Sequence, residues 1–210
     1  SDLASTEGTV TAEGCGAVSS PRQYVTLHAR ASRAVAAMSV VPVDAKGRVC
    51  LYVSAAMHLV VDVQGFFVPA AQAPLGLHLA PITPRVTVDT RTNAFCLADD
   101  TCFDRGPVPK GDEVRITTPT ALPAVGLLTT LTVTGALANG NQTAKDCATL
   151  QPGVQPYSNL NFVTGETISN LAVIRADDIG SAVEYCTYSA TTLNQVNEVL
   201  GLLVPAAAGG

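Results

Sequence analysis

The sequence predicts an all-β fold, with jelly-roll-like β-sandwich modules arranged as an internal repeat and stapled by disulfides. Three observations carry that expectation. Short alternating or β-branched runs are bounded by Gly, Pro, Asn and Asp. Six cysteines stand at positions 15, 50, 96, 102, 147 and 186. One stretch overlays another 136 residues downstream without a gap.

The strands follow in order. Gly8-Thr9-Val10-Thr11-Ala12 and Arg85-Val86-Thr87-Val88-Asp89-Thr90 alternate, and Leu127 to Thr134 is rich in β-branched residues and ends at Gly135. Val60 to Val68 is apolar on both parities, the pattern of a strand covered on both faces. Ala29 to Met38 is Ala-rich, but its counterpart Val163 to Leu171 contains Thr, Gly and Ile, so both read as loop or strand. Leu193 to Leu203 has some helical character, yet its repeat partner argues for a strand.

The repeat rests on Cys50-Leu51-Tyr52 through Pro69 lying on Cys186-Thr187-Tyr188 through Pro205. Upstream, Tyr24 to His28 falls near Tyr157 to Asn161, and Met38 to Val41 falls on Leu171 to Ile174, both at an offset of 133; Cys15 answers to Cys147 at 132. Six cysteines permit fifteen pairings. The repeat selects Cys15–Cys50, Cys147–Cys186 and a local Cys96–Cys102.

The organisation that follows is a partial first β module over 1–69, a Pro/Ala-rich linker over 70–84, a complete second β module over 85–205 and a tail over 206–210. In the second module 62 residues separate Arg85 from Cys147, whereas 14 residues precede Cys15. The first module thus lacks its opening half, which would leave sheet edges and an apolar face open. Either upstream sequence has been removed, or another surface completes the sheet, the second module or another chain by strand addition.

These motifs resemble a repeat found in tandem in secreted and cell-wall-associated proteins of actinobacteria. The resemblance is carried by Arg85-Val86-Thr87-Val88-Asp89-Thr90-Arg91, by Ser158-Asn159-Leu160-Asn161-Phe162 through Ile174, by Val49-Cys50-Leu51-Tyr52, and by His58 through Phe67. The first module keeps the ending and lacks the Ser-Asn-Leu-Asn motif, whereas the second keeps that motif with the altered ending Asn197-Glu198-Val199-Leu200-Gly201-Leu202. The resemblance implies an extracellular, cell-surface location and this architecture rather than a particular chemistry.

Composition limits the partners. With 12 Lys and Arg against 17 Asp and Glu, a net charge of −5 leaves no basic patch for nucleic acid. An even cysteine count in a chain with three lysines suits an oxidising compartment. The start at Ser1 reads as a mature N-terminus or an internal start, and no apolar run approaches the ~18 residues of a membrane span.

Candidate ligand residues are few. Asp89 and Arg91 could recognise a carboxylate or sugar, and read first as an internal ion pair at a turn. Asn159, Asn161 and Asn170 suit either sugar hydroxyls or turn backbones, and Tyr157 offers a stacking face. Asp99, Asp100 and Asp104 lack the spacing of a calcium loop and read as solvated. Asn141-Gln142-Thr143 is a glycosylation sequon. His28, His58 and His78 belong to no catalytic motif, and no G-x-S-x-G, H-E-x-x-H or phosphate loop occurs. The expectation is therefore a non-enzyme without metal or cofactor. It would act as a structural or assembly protein through self-association or another surface protein. The alternative is a glycan- or cell-wall-binding module.

Overall fold

The computed structural model describes residues 6–16, 25–72, 76–151, 153 and 155–206. The expected N-terminal start, the tail beyond residue 206 and the Tyr24 end of the repeat match lie outside them. Two compact units divide the chain, Ser1–Val63 and Gln64–Gly210.

The first unit is a three-stranded antiparallel sheet in which β1 (Gly8–Gly14) lies between β2 (Leu27–Ala29) and β3 (Val49–Val53). Cys15–Cys50 ties β1 to β3. The second unit holds two further antiparallel sheets. The strands of the larger are β5 (Phe95–Leu97), β6 (Cys102–Phe103), β7 (Glu113–Pro119), β9 (Gly140–Lys145), β10 (Leu160–Phe162), β12 (Asp177–Asp178) and β13 (Ala182–Ser189). They run in the order β10-β9-β13-β7-β5-β6, with β12 also on β13. The smaller sheet runs β11-β8-β14-β4, from β4 (Leu77–Asp89), β8 (Gly126–Thr134), β11 (Ile168–Arg175) and β14 (Asn194–Pro205).

The sheets face each other as a sandwich. Period-2 alternation turns Val114 and Ile116 of β7, and Leu127 and Leu131 of β8, into one core with Tyr185 and Val199. Phe95 and Phe103 stack at 5.2 Å beside the Cys96–Cys102 bridge, and Cys147–Cys186 closes β9 onto β13. All three bridges have the pairing read from the repeat.

Two sequence expectations change. Residues 77–84 are not linker but the first part of β4. The prolines that suggested a break are tolerated because β4 is an edge strand, where a missing N–H faces away from the ladder. Val60 to Val68 is not a strand: it has no ladder partner, and Val60, Phe66 and Phe67 are 90%, 78% and 72% exposed. β-branched composition favours an extended chain but cannot supply the neighbour a strand needs. Leu193 to Leu203 is extended, within β14, as expected.

The order β2-β1-β3 and the order β10-β9-β13 share their register. Val10↔Leu27 matches Gln142↔Leu160, and Glu13↔Cys50 matches Lys145↔Cys186. Even the cap is shared: Ala12 donates its N–H to Thr26 Oγ1 at 3.0 Å, and Ala144 donates to Asn159 Oδ1 at 2.7 Å.

Candidate binding groove

Beside the Cys147–Cys186 bridge the second unit has a groove of about 350 Å³. Its polar lining includes Gln64, Lys145, Asp146, Tyr157, Asn159 and Arg175. β9 delivers Lys145 and Asp146 at its end, where the bridge holds the chain against β13. A turn follows, with Leu150 N–H donating to the Asp146 carbonyl at 3.1 Å and Lys145 Nζ to the Thr149 carbonyl at 3.3 Å. Tyr157 is set by Thr143 Oγ1, which donates to its carbonyl at 2.8 Å. The residue is 39% exposed. Burial, with the Asp146 carboxylate as the smaller cause, holds its phenol above the usual value, so it stays protonated at neutral pH.

The structure brings some of the sequence candidates together. Tyr157 and Asn159 share the groove, and Asn170 Nδ2 donates to the Asn159 carbonyl at 2.6 Å. Asn161 lies on β10, where its Oδ1 accepts from Ser158 Oγ at 3.0 Å. The amides of Asn159, Asn161 and Asn170 thus all serve local structure. Asp89 and Arg91 do not line the groove. They form a two-pronged pair, Nε to Oδ1 at 2.8 Å and Nη2 to Oδ2 at 2.7 Å, over the turn after β4. The hydrogen bond from Arg91 holds the Asp89 carboxyl below its ordinary value against a smaller opposing effect of burial. Asp100 pairs with Arg115 at 2.5 Å and Asp99 accepts from Thr101 N–H at 3.0 Å. Among the described residues no three metal-ligating side chains gather.

The sequence reading missed a string of polar side chains between the sheets. Gln195 Oε1 accepts from Gln142 Nε2 at 2.5 Å and from Thr187 Oγ1 at 2.9 Å, and Asn197 Nδ2 donates to Tyr185 Oη at 3.4 Å. All five residues are buried. Burial is the main cause that raises the Tyr185 phenol. The signal was Asn197, standing where the first unit has Val61.

Chemically, the groove brings a phenol, two cationic side chains and an amide into one lining. Its lining includes none of the three histidines. The chain matches no family model, no curated protein and no solved structure. Fold and bonding together define an all-β, sandwich-like protein with three disulfides.

Proposed function

We propose that this protein is a non-catalytic structural component of a bacterial cell surface, acting outside the cell and assembling through its first unit by strand sharing with a neighbouring subunit. The carrying observation is that the apolar run from Leu59 to Val68 is solvent-exposed and in no strand, while the first unit's sheet has three short strands among the described residues. Exposed apolar surface of this extent marks an interaction site. Three disulfides support an oxidising location, and no helix among the described residues is long and apolar enough to cross a membrane. The test is site-specific photo-crosslinking on intact cells, with the probe replacing Val61. Covalent adducts with another polypeptide are expected; recovery of the uncrosslinked 21.6 kDa chain alone would refute the assembly role.

A second reading is favoured by one observation, the partly exposed Tyr157 in a groove that also carries Lys145 and Arg175. An aromatic ring and hydrogen-bond donors in one groove suit a glycan or cell-wall fragment. A peptidoglycan pull-down that retains the native chain and loses Tyr157→Ala would establish it; equal retention of both would reject it.

A further inference from the structure

The pairings of the second unit separate cleanly. Some join its later strands to each other: β9 with β10, and β9 with β13. Others join a later strand to the earlier stretch 77–134: β11 with β8, β13 with β7, and β14 with β8 and β4. At offsets of 132 to 136 residues 8–69 hold counterparts of β9, β10, β11, β13 and β14. Among the described residues they form the pairings that answer to β9 with β10 and β9 with β13, and none of the second kind. β1 pairs with β2 and β3 in the same register, while residues 58–69, opposite β14, belong to no strand. Among the described residues β1 is the one strand on the ladder of β3, whereas β13 has both β9 and β7.

The side chains say what the unpaired parts expect. In the second unit Gln195 of β14 bonds to Gln142 and Thr187 of the facing sheet, and Asn197 bonds to Tyr185. The counterparts of Gln195, Gln142, Thr187, Asn197 and Tyr185 are Leu59, Val10, Leu51, Val61 and Val49. All five polar positions have become apolar together, as facing surfaces of one core require; burying a polar group opposite an apolar one would leave it unsatisfied. Residues 58–69 are therefore built to stack on β1 and β3 as β14 stacks on β9 and β13. Glycine tells the same story. A Cβ on Gly201 would lie 2.9 Å from Leu79 and 3.3 Å from the Ala80 carbonyl, both on β4. Gly65, its counterpart, meets nothing within 4 Å, a glycine whose close neighbour is not there.

We propose that the first unit binds a polypeptide carrying a half-sandwich of the 77–134 type, without a closing strand of its own. Residues 58–69 enter between its β4-like and β8-like strands, and β3 extends its β7-like strand. The interface it would form is already present once in this molecule, between β14 and its two neighbours. A second copy of the chain is not this partner, since β14 occupies both strands there. The proposal rests on the assembly reading above and adds the identity of the partner surface.

The test places a second copy of residues 77–134 ahead of Ser1 in the full chain, through a Gly/Ser linker, and follows hydrogen exchange. Amides of 58–69 should slow by roughly a thousandfold, toward the rate of Asn194–Pro205. A Leu131→Asp change in the added copy should abolish that slowing and leave Asn194–Pro205 unchanged. Register is read separately: Asn197 faces Leu131 in the ladder, so Val61→Cys should form a disulfide with Leu131→Cys of the added copy, and not with Val133→Cys. Unchanged exchange at 58–69, or no preference between the two cysteine positions, overturns the proposal. So does concentration-dependent protection of 58–69 in the unmodified chain alone, which would make a second copy the partner. Adducts on cells without protection by the added copy would leave assembly standing and remove this partner; protection without adducts would do the reverse.

Discussion

Asn159 Oδ1 lies 2.7 Å from the backbone nitrogen of Ala144 and accepts its hydrogen bond at a buried position between β9 and the start of β10. Of the two roles open to this amide in sequence, sugar contact or backbone partner, the structure shows the second, a clamp on the sheet. Asn159→Ala should leave that N–H unpaired and cost about 1–3 kcal/mol, measured by urea denaturation. Thr26→Ala, which removes the same clamp from Ala12, should cost less, because that site is only part-buried.

The long bridges should matter more than the short one. On the loop-entropy account, a 39-residue separation contributes about 4 kcal/mol and a 6-residue separation about 2 kcal/mol. Replacing Cys147 and Cys186 by Ala should therefore lower the denaturation midpoint roughly twice as far as replacing Cys96 and Cys102.

The polar string in the core should be more costly to break than to remove. Gln195→Leu alone strands Gln142 and Thr187 and should destabilise by about 1–3 kcal/mol. Adding Gln142→Val and Thr187→Leu should recover most of that loss. The native string already leaves Gln142 Oε1 and Gln195 Nε2 buried without partners, so their removal relieves a cost. Thermal melts of the single and triple variants decide it.

Acid titration should separate two carboxylates by sign. Burial raises Glu113, and its Oε1 is buried without a partner. Its contribution is largest below its unfolded pKa and is lost as pH rises through the folded value. Glu113→Gln should therefore match the native chain in acid and exceed its stability at neutral pH. Asp89 is held low by Arg91, so its contribution is present at neutral pH and lost as pH falls through the folded value. Asp89→Asn should be slightly less stable than the native chain at pH 7 and converge with it in acid. Both differences should be small, since both sites reach solvent.

Much of this architecture was legible because β-strands advertise themselves by alternation and turn residues. Leu127 to Thr134 and Gly8 to Ala12 needed nothing more. The cysteine pairing was legible for a different reason: Cys50 and Cys186 head runs that overlay at an offset of 136. Val60 to Val68 misled because strand propensity describes a surface that fits a sheet, and says nothing about whether the sheet is there. Pro81 and Pro84 misled because an edge strand and a linker look alike until the neighbouring strand is known. The roles of Asn159, Asn161 and Asn170 were open in sequence, since an amide serves a sugar and a backbone equally well; only the positions of Ala144 and Ser158 decide between them.

The core of the second unit is written partly in amides and hydroxyls, whereas the matching positions of residues 8–69 are aliphatic. β14 laid over β1 and β3 would bury Gln195 and Asn197 against Val10, Leu51 and Val49; residues 58–69 laid over β9 and β13 would strand Gln142, Thr187 and Tyr185. Each mismatched group would cost on the order of 1–3 kcal/mol. An exchange of the two segments, which share length, glycine position and terminal proline, would carry that penalty. The worth of the Gln142–Gln195 contact would then lie less in the stability of the right pairing than in the cost it sets on the wrong one.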